Sequence, residues 1–175
     1  VRVLHQRSFK DDPTRVWRAI RYEQRLGFRL EFDTAGLLRR DAAMMDRISG
    51  DRLRRELERI LEETYPEKVF YRAERLGVLR HLHPALEGNG WLEEHFDIFR
   101  QTCSSPQIDI KLYLALLVWR IDDEALKTFL ERLNFGGEAV RVLRDIPGLK
   151  QALRALAAPE LSPSSVYHIL ERHRP

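Results

Sequence analysis

Apolar side chains recur three and four positions apart along nearly the whole chain, and residues that start or stop helices bracket each run. That pattern constrains the fold class more than any other feature, and it predicts an all-α protein. Asp12-Pro13 opens a first helix, aspartate suiting the cap and proline the first turn. Gly27 ends it after Leu26. A second helix is expected from about Asp33 to Met45. A third starts at a Ser49 cap and carries Leu53, Leu57, Ile60 and Leu61 on one face. Pro66 opens a fourth that ends at Leu76-Gly77, and Val78 to Leu82 adds a short turn. After a loop at 84–90, helices are expected at about 91–102, 108–120, 122–133, 136–145, 148–157 and 163–172. Val1 to Leu4 alternates weakly and reads as one possible short strand. It has no partner strand, which suggests an element cut from something upstream. No fixed-period repeat or low-complexity segment interrupts the pattern.

Charge divides the chain where hydropathy does not. Net charge is +3, but residues 1–60 hold 15 Lys/Arg against 10 Asp/Glu, and the remainder holds 15 against 17. Arginine supplies 25 of the 30 basic residues, and its planar fork matches phosphates and base edges. A GC-rich genome or a thermophilic source explains the overall bias equally well. The N-terminal concentration favours a polyanionic partner. The boundary between a basic unit at 1–83 and a more neutral one at 84–175 is expected in the loop near 84–90. No apolar run approaches the roughly 20 residues of a membrane span. The opening residues carry no signal-peptide core. One cysteine, Cys103, excludes an internal disulfide framework and fits a reducing cytoplasm.

The most informative stretch is Arg7 to Tyr22. At 100° per residue, Arg15, Arg18, Arg21 and Arg25 share an arc of about 120°, while Val16, Ala19, Ile20 and Leu26 occupy a separate one. Four like charges on one arc repel unless something negative faces them. A solvated face, an anion such as a phosphate chain, and carboxylates from elsewhere in the fold all remain open on this pattern. Asp12 and Arg15 are likewise open. The simpler reading is a cap with a local ion pair. The alternative is an acceptor beside a planar donor, offered to the edge of a nucleobase.

The string Asp11-Asp12-Pro13-Thr14-Arg15, then Arg18-Ala19-Ile20-Arg21-Tyr22 and Leu26-Gly27-Phe28, resembles the nucleotide-reading motif of class II tRNA nucleotidyltransferases. Bacterial poly(A) polymerases carry a related string. Asp11 stands where that family usually has Glu, and Tyr22 where Phe is commoner. The resemblance implies that Asp12 and Arg15 pair with incoming ATP or CTP and that Asp11 orients Arg15. Arg18 and Arg21 become candidates for nucleotide or RNA backbone contacts. A second string, Asp46-Arg47-Ile48-Ser49-Gly50-Asp51-Arg52-Leu53, resembles the family's neck-bracing motif, with Asp51 replacing a common Glu. It assigns bracing to Arg47, Ser49, Asp51 and Arg52. The opening Arg2 to His5 resembles the link from the catalytic head into the neck. The resemblance covers roughly 1–83 and implies a helical neck followed by a helical body.

In that family, catalysis needs an Asp-x-Asp pair holding two magnesium ions and a Gly-Ser loop for the triphosphate. Neither occurs in these 175 residues. The expectation is therefore a part that adds no nucleotides alone and binds no metal. It would select ATP or CTP and support a tRNA acceptor end for its own N-terminal head. The same region of a poly(A) polymerase, acting on other RNAs, is an alternative. A helical interaction or oligomerisation module is another. His81, His83 and His95 could suggest a metal, but i, i+2 spacing on a helix points two histidines to different faces. Cys103 has no base beside it. Trp17, Trp91 and Trp119 are most simply core residues, and Asp122-Asp123 a helix cap.

Overall fold

A computed structural model describes residues 1–103, 109–157 and 161–171. All regular structure among them is helical. The elements are α1 (Ser8–Asp11), α2 (Arg15–Arg25), α3 (Phe32–Asp41), a 3-10 stretch (Ala42–Arg47), α4 (Gly50–Leu61), α5 (Pro66–Arg75) and a 3-10 turn (Leu79–His81). Then follow α6 (Gly90–Thr102), α7 (Ile110–Leu117), α8 (Asp123–Arg132), α9 (Gly137–Arg144), α10 (Ile146–Leu156) and α11 (Pro163–Glu171). None of the described helices is long and apolar enough to cross a membrane.

Most expected boundaries fall within a few residues of the observed ones, and the differences have local causes. Residues 8–11 form a helical turn because Phe9 is fully buried and Ser8 nearly so. The first long helix therefore begins at Arg15, not Asp12. The second ends at Asp41 and tightens into the 3-10 stretch, which buries Met45. No strand forms at Val1–Leu4, correcting that expectation. The segment spends its polar groups on irregular partners: the Val1 amine donates to Arg29 O, Val1 O accepts from Glu31 N, and Val3 N donates to Thr34 Oγ1. The expected break at 103–107 and helix start at 108 fall mostly outside the described residues.

The caps show the backbone chemistry at work. Gly27 closes α2 with φ +64°, a conformation open to glycine at little cost. Phe28 N then reaches back to Glu23 O at 2.9 Å. Glu31 caps α3 through hydrogen bonds from Asp33 N and Thr34 N. Asp122 caps α8 by accepting from Ala125 N at 2.8 Å, as expected.

The packing divides the chain into two units, Val1–Phe135 and Gly136–Pro175. In the first, α2 packs on α4 and α5, α5 on α6, α6 on α7, and α7 on α4. Phe70, Phe96 and Tyr113 link α5, α6 and α7 through ring contacts at 6.4 and 4.7 Å. Buried Trp17, Ile20, Leu53, Leu57 and Ile60 come from the apolar arcs of α2 and α4. The end of α8 seats on the start of α4. Arg132 donates to Ile48 O and Met45 O, each at 3.0 Å. A Cβ at Gly50 would lie 2.5 Å from Arg132 O, so only glycine permits this approach. The second unit consists of α9, α10 and α11, with α10 packing on both others. The charge-based boundary at 84–90 thus lies inside the first packing unit.

Two buried ion pairs tie the first unit together. Glu23 on α2 accepts from Arg72 on α5 at 2.7 and 3.1 Å and from Leu30 N at 2.7 Å. Glu67 on α5 accepts from both Nη atoms of Arg100 on α6 at 2.8 and 2.9 Å.

His83 is buried and held neutral. Its Nδ1 accepts from Ala85 N, and its Nε2 faces Thr128 Oγ1 at 3.0 Å. Burial pushes its pKa below the ordinary imidazole value, and Asp122 opposes this only in part. A folded pKa below the unfolded one means the unfolded chain binds the extra proton first. Stability should therefore fall as pH drops below about 6.5, the unfolded value. Urea midpoints measured from pH 7.5 to 5 should show this decline, and His83→Gln should flatten it.

Candidate functional site

The candidate site gathers where α1 turns into α2. Pro13 forces the chain out of the preceding helical turn, and Asp12 sits at the corner in an extended conformation (φ −145°, ψ 95°). Its Oδ1 accepts from Thr14 N at 3.2 Å and Thr14 Oγ1 at 2.7 Å, bonds that shape the entry to α2. The same oxygen accepts from Arg52 Nη2 at 2.9 Å, across from α4. Its Oδ2 accepts from Arg18 Nη2 at 2.6 Å. Burial alone would raise the Asp12 pKa. The Thr14 hydrogen bonds and the charges of Arg18 and Arg52 outweigh it and hold the carboxyl below its ordinary range. Asp12 is thus an oriented carboxylate with one fifth of its side chain still open to solvent.

Arg15 stands beside it, with Nε 3.9 Å from Asp12 Oδ2. Its Nη1 lies 3.1 Å from Ser8 Oγ and 3.3 Å from Ser8 O, so α1 fixes the guanidinium from below. Arg15 remains partly exposed. An acceptor and a planar donor therefore sit side by side at one helix start, each restrained by other groups. Asp11 does not meet Arg15. It faces Arg7 Nε at 3.6 Å and His5 Nδ1 at 3.9 Å.

The arginine arc is answered mainly by carboxylates of the same chain. Arg21 is buried, with Nη1 2.8 Å from Glu63, which also lies 3.9 Å from Arg25. Arg18 Nε lies 3.7 Å from Oε1 of Glu56, a buried residue that Arg59 holds at 3.0 Å. Neither Arg18 Nε nor Glu56 Oε2 has a hydrogen-bond partner. Arg18 thus bridges toward two acids, Asp12 and Glu56, while Arg21 is committed to Glu63. Ser8, Thr14, Glu56 and Glu63 complete the site, and sequence reasoning had not assigned them. Ser8 and Thr14 lie within the stretch from Arg7 to Tyr22, so their position was visible there but their pairing was not.

The second string meets the first through Arg52, whose contact with Asp12 links α4 to α2. Ser49 occupies the N-cap position of α4, but its hydroxyl makes no capping bond. Asp51 braces a different junction, accepting from Asn134 Nδ2 at 3.0 Å and Arg54 Nη2 at 3.1 Å. Arg47 is exposed at the end of the 3-10 stretch.

The other candidates take structural partners. His81 meets Asp46 at 2.9 Å, and His95 meets Trp91 O at 2.9 Å while stacking on the Trp91 ring. Trp17 is buried. Among the described residues no group of three or more His, Cys, Asp or Glu is placed to hold a metal ion.

Comparison with known proteins bears on this arrangement. Residues 27–88 match the family model described as the probable RNA- and SrmB-binding site of polymerase A. The chain is 49% identical over 88 residues to an A-adding tRNA nucleotidyltransferase of Geobacter sulfurreducens, covering 49% of this chain and 10% of that protein. A CCA-adding enzyme solved with ATP superposes with a TM-score of 0.76 at 33% identity, over 95% of this chain and 42% of the other. The Thermotoga maritima CCA-adding enzyme complexed with tRNA superposes with a TM-score of 0.68 at 30% identity, over 99% and 47%. The chain therefore spans a tenth of that relative and less than half of each solved chain.

Proposed function

Because the chain belongs to the tRNA nucleotidyltransferase family, in the stretch that forms its neck and body, we propose that it reads the incoming nucleotide and supports RNA during 3′-end addition. The observation that carries this reading is the restrained pair Asp12 and Arg15 at the start of α2. A carboxylate accepts from an exocyclic amino group, and a guanidinium donates to the ring nitrogen beside it. Adenine and cytosine both offer that amino group, so one pair accommodates ATP and CTP. Guanine and uracil present an oxygen and an N–H there, the reverse pattern.

Arg18 and Arg52 hold Asp12 in place, and Ser8 holds Arg15. Arg18, partly exposed, is also within reach of a phosphate or RNA backbone. Bond formation belongs to a catalytic head that supplies the magnesium-binding carboxylates, and the substrate is a tRNA acceptor end. The family model's reference to polymerase A supports a second reading, in which the same region serves a poly(A) polymerase acting on other RNAs. Extension of tRNA lacking its 3′ end, set against an unrelated RNA of equal length, separates the two.

The test of nucleotide reading joins this chain to a family catalytic head and lets ATP and UTP compete. Arg15→Ala should lower the preference for ATP by roughly tenfold, the scale of one lost base-reading contact. Affinity for tRNA should change by less than about threefold, one arginine being a small part of the phosphate contact. An unchanged ATP preference in this variant contradicts the assignment.

A further inference from the structure

Away from Asp12, the outer face of α5 carries a stripe of aromatic and basic side chains. Tyr65, Lys68, Tyr71 and Arg75 fall within about 120° of arc. Tyr65 and Tyr71 are half exposed. Lys68 Nζ sits 4.3 Å from the Tyr65 ring centre, and Arg100 covers that ring at 5.1 Å. Arg75 lies 5.9 Å from the Tyr71 ring. Neither Lys68 nor Arg75 has a carboxylate within ion-pair distance among the described residues. Other cations of this region are neutralised: Arg72 by Glu23, Arg100 by Glu67, Arg25 at longer range by Glu63.

Two clefts of about 160 and 370 Å³ flank Lys68 and share Gln24 and Lys68 in their walls. Together they form a trough along α5, with Arg25 at one end and Arg75 near the other. Glu63 also lines the first cleft, and Glu67 and Glu93 the second, so the walls mix acids with bases. Glu63 and Glu67 are already paired with Arg21 and Arg100, which leaves Lys68 and Arg75 as the trough's unneutralised cations.

We propose that this trough is a track for single-stranded RNA, in which Lys68 and Arg75 take phosphates about three nucleotides apart and Tyr65 and Tyr71 stack unpaired bases. Unneutralised cations alternating with half-exposed rings are the combination that binds single strands with little sequence preference. Lys68 and Arg75 are seven residues apart, about 10 Å along the helix, which spans about three nucleotides of a stacked strand. The proposal rests on the RNA-supporting reading and adds where that support lies.

The test measures binding of a fluorescent 12-nucleotide single strand, and of tRNA lacking its 3′ end, across a salt series. The double variant Lys68→Ala, Arg75→Ala should weaken binding about tenfold near 50 mM salt. It should lower the slope of log Kd against log salt by about 1.4, the value for two single-strand phosphate contacts. Tyr71→Ala should cost about fivefold or more, and Tyr71→Phe should retain binding, because the ring alone stacks. Arg80→Ala, Lys127→Ala, which removes two exposed cations elsewhere, should leave both quantities unchanged. If the unaltered chain binds neither RNA, the RNA-supporting reading fails and this assignment with it. If it binds both and the Lys68, Arg75 variant matches it in affinity and slope, this assignment alone is overturned. Displacement of the RNA by polyglutamate as readily as by unlabelled RNA also overturns it, pointing to an acidic protein partner.

Discussion

Replacing Glu23 by alanine is expected to cost about 3 kcal/mol of stability, at the lower end for breaking a buried ion pair. Glu23 is buried and accepts four hydrogen bonds: two from Arg72, one from Leu30 N and one from Gln24 Nε2. Alanine leaves the Arg72 guanidinium without its counter-charge and the buried Leu30 N–H without an acceptor. Because Arg72 keeps some solvent access, the loss should stay below the upper limit of such cases. For a chain of this length the melting temperature should drop by about 10 °C.

The pH dependence of that effect has a defined sign. Burial would raise the Glu23 pKa, but the hydrogen bonds from Arg72 and Leu30 N and the charge of Arg72 bring it below its ordinary value. A depressed folded pKa contributes stability above the unfolded value, about 4.5, and loses it as pH falls through the folded one. The gap between Glu23→Ala and the unaltered chain should therefore be full at pH 7 and shrink below pH 4. Urea unfolding at pH 7 and pH 3.5 checks both points. A loss under about 1 kcal/mol at pH 7 would mean the pair contributes no more than an exposed one.

Much of the fold was legible because its helices obey local rules. Gly27 and Gly77 end helices where a left-handed residue is needed, and Pro66 sits in the first turn of α5. Asn134 closes α8 in the same conformation (φ 51°). The one-turn α1 was not legible, since four residues carry no periodicity and Phe9 is buried for tertiary reasons. The 3-10 stretch after Asp41 was hidden likewise, because Ala42 and Met45 fit either helix type.

In the candidate site, Asp12, Arg15 and Arg52 were visible as motif residues. Their arrangement depended on contacts 40 positions apart in sequence, such as Arg52 with Asp12. The arginine arc left three readings open, and pairing with Glu56 and Glu63 settles most of it in favour of carboxylates within the chain. Asp11 illustrates the limit of a motif. Its position matched, yet it faces His5 and Arg7 across a turn whose geometry Pro13 and Phe9 decide together.

The second large effect concerns Asp12 itself. Asp12→Asn keeps the size of the side chain and leaves one oxygen for Thr14 and Arg52. The other oxygen, which Arg18 now approaches, becomes an amide donor. Arg18 would then face a donor, and Glu56 Oε2, at present without a partner, is the acceptor available to it. Stability should fall by about 1 kcal/mol, the net worth of a hydrogen bond. Base selection should change far more. An amide donor no longer accepts the amino group of adenine or cytosine, and it matches the carbonyl oxygen that uracil presents there.

The most direct measurement is the ratio of ATP to UTP incorporated into tRNA when the two compete, with this chain joined to a family catalytic head. If Asp12 reads the base, Asp12→Asn should lower that ratio at least tenfold, within the roughly 1–3 kcal/mol carried by a bidentate base contact. An Asp12→Asn protein that adds nucleotides at a measurable rate with an unchanged ratio would contradict the central claim.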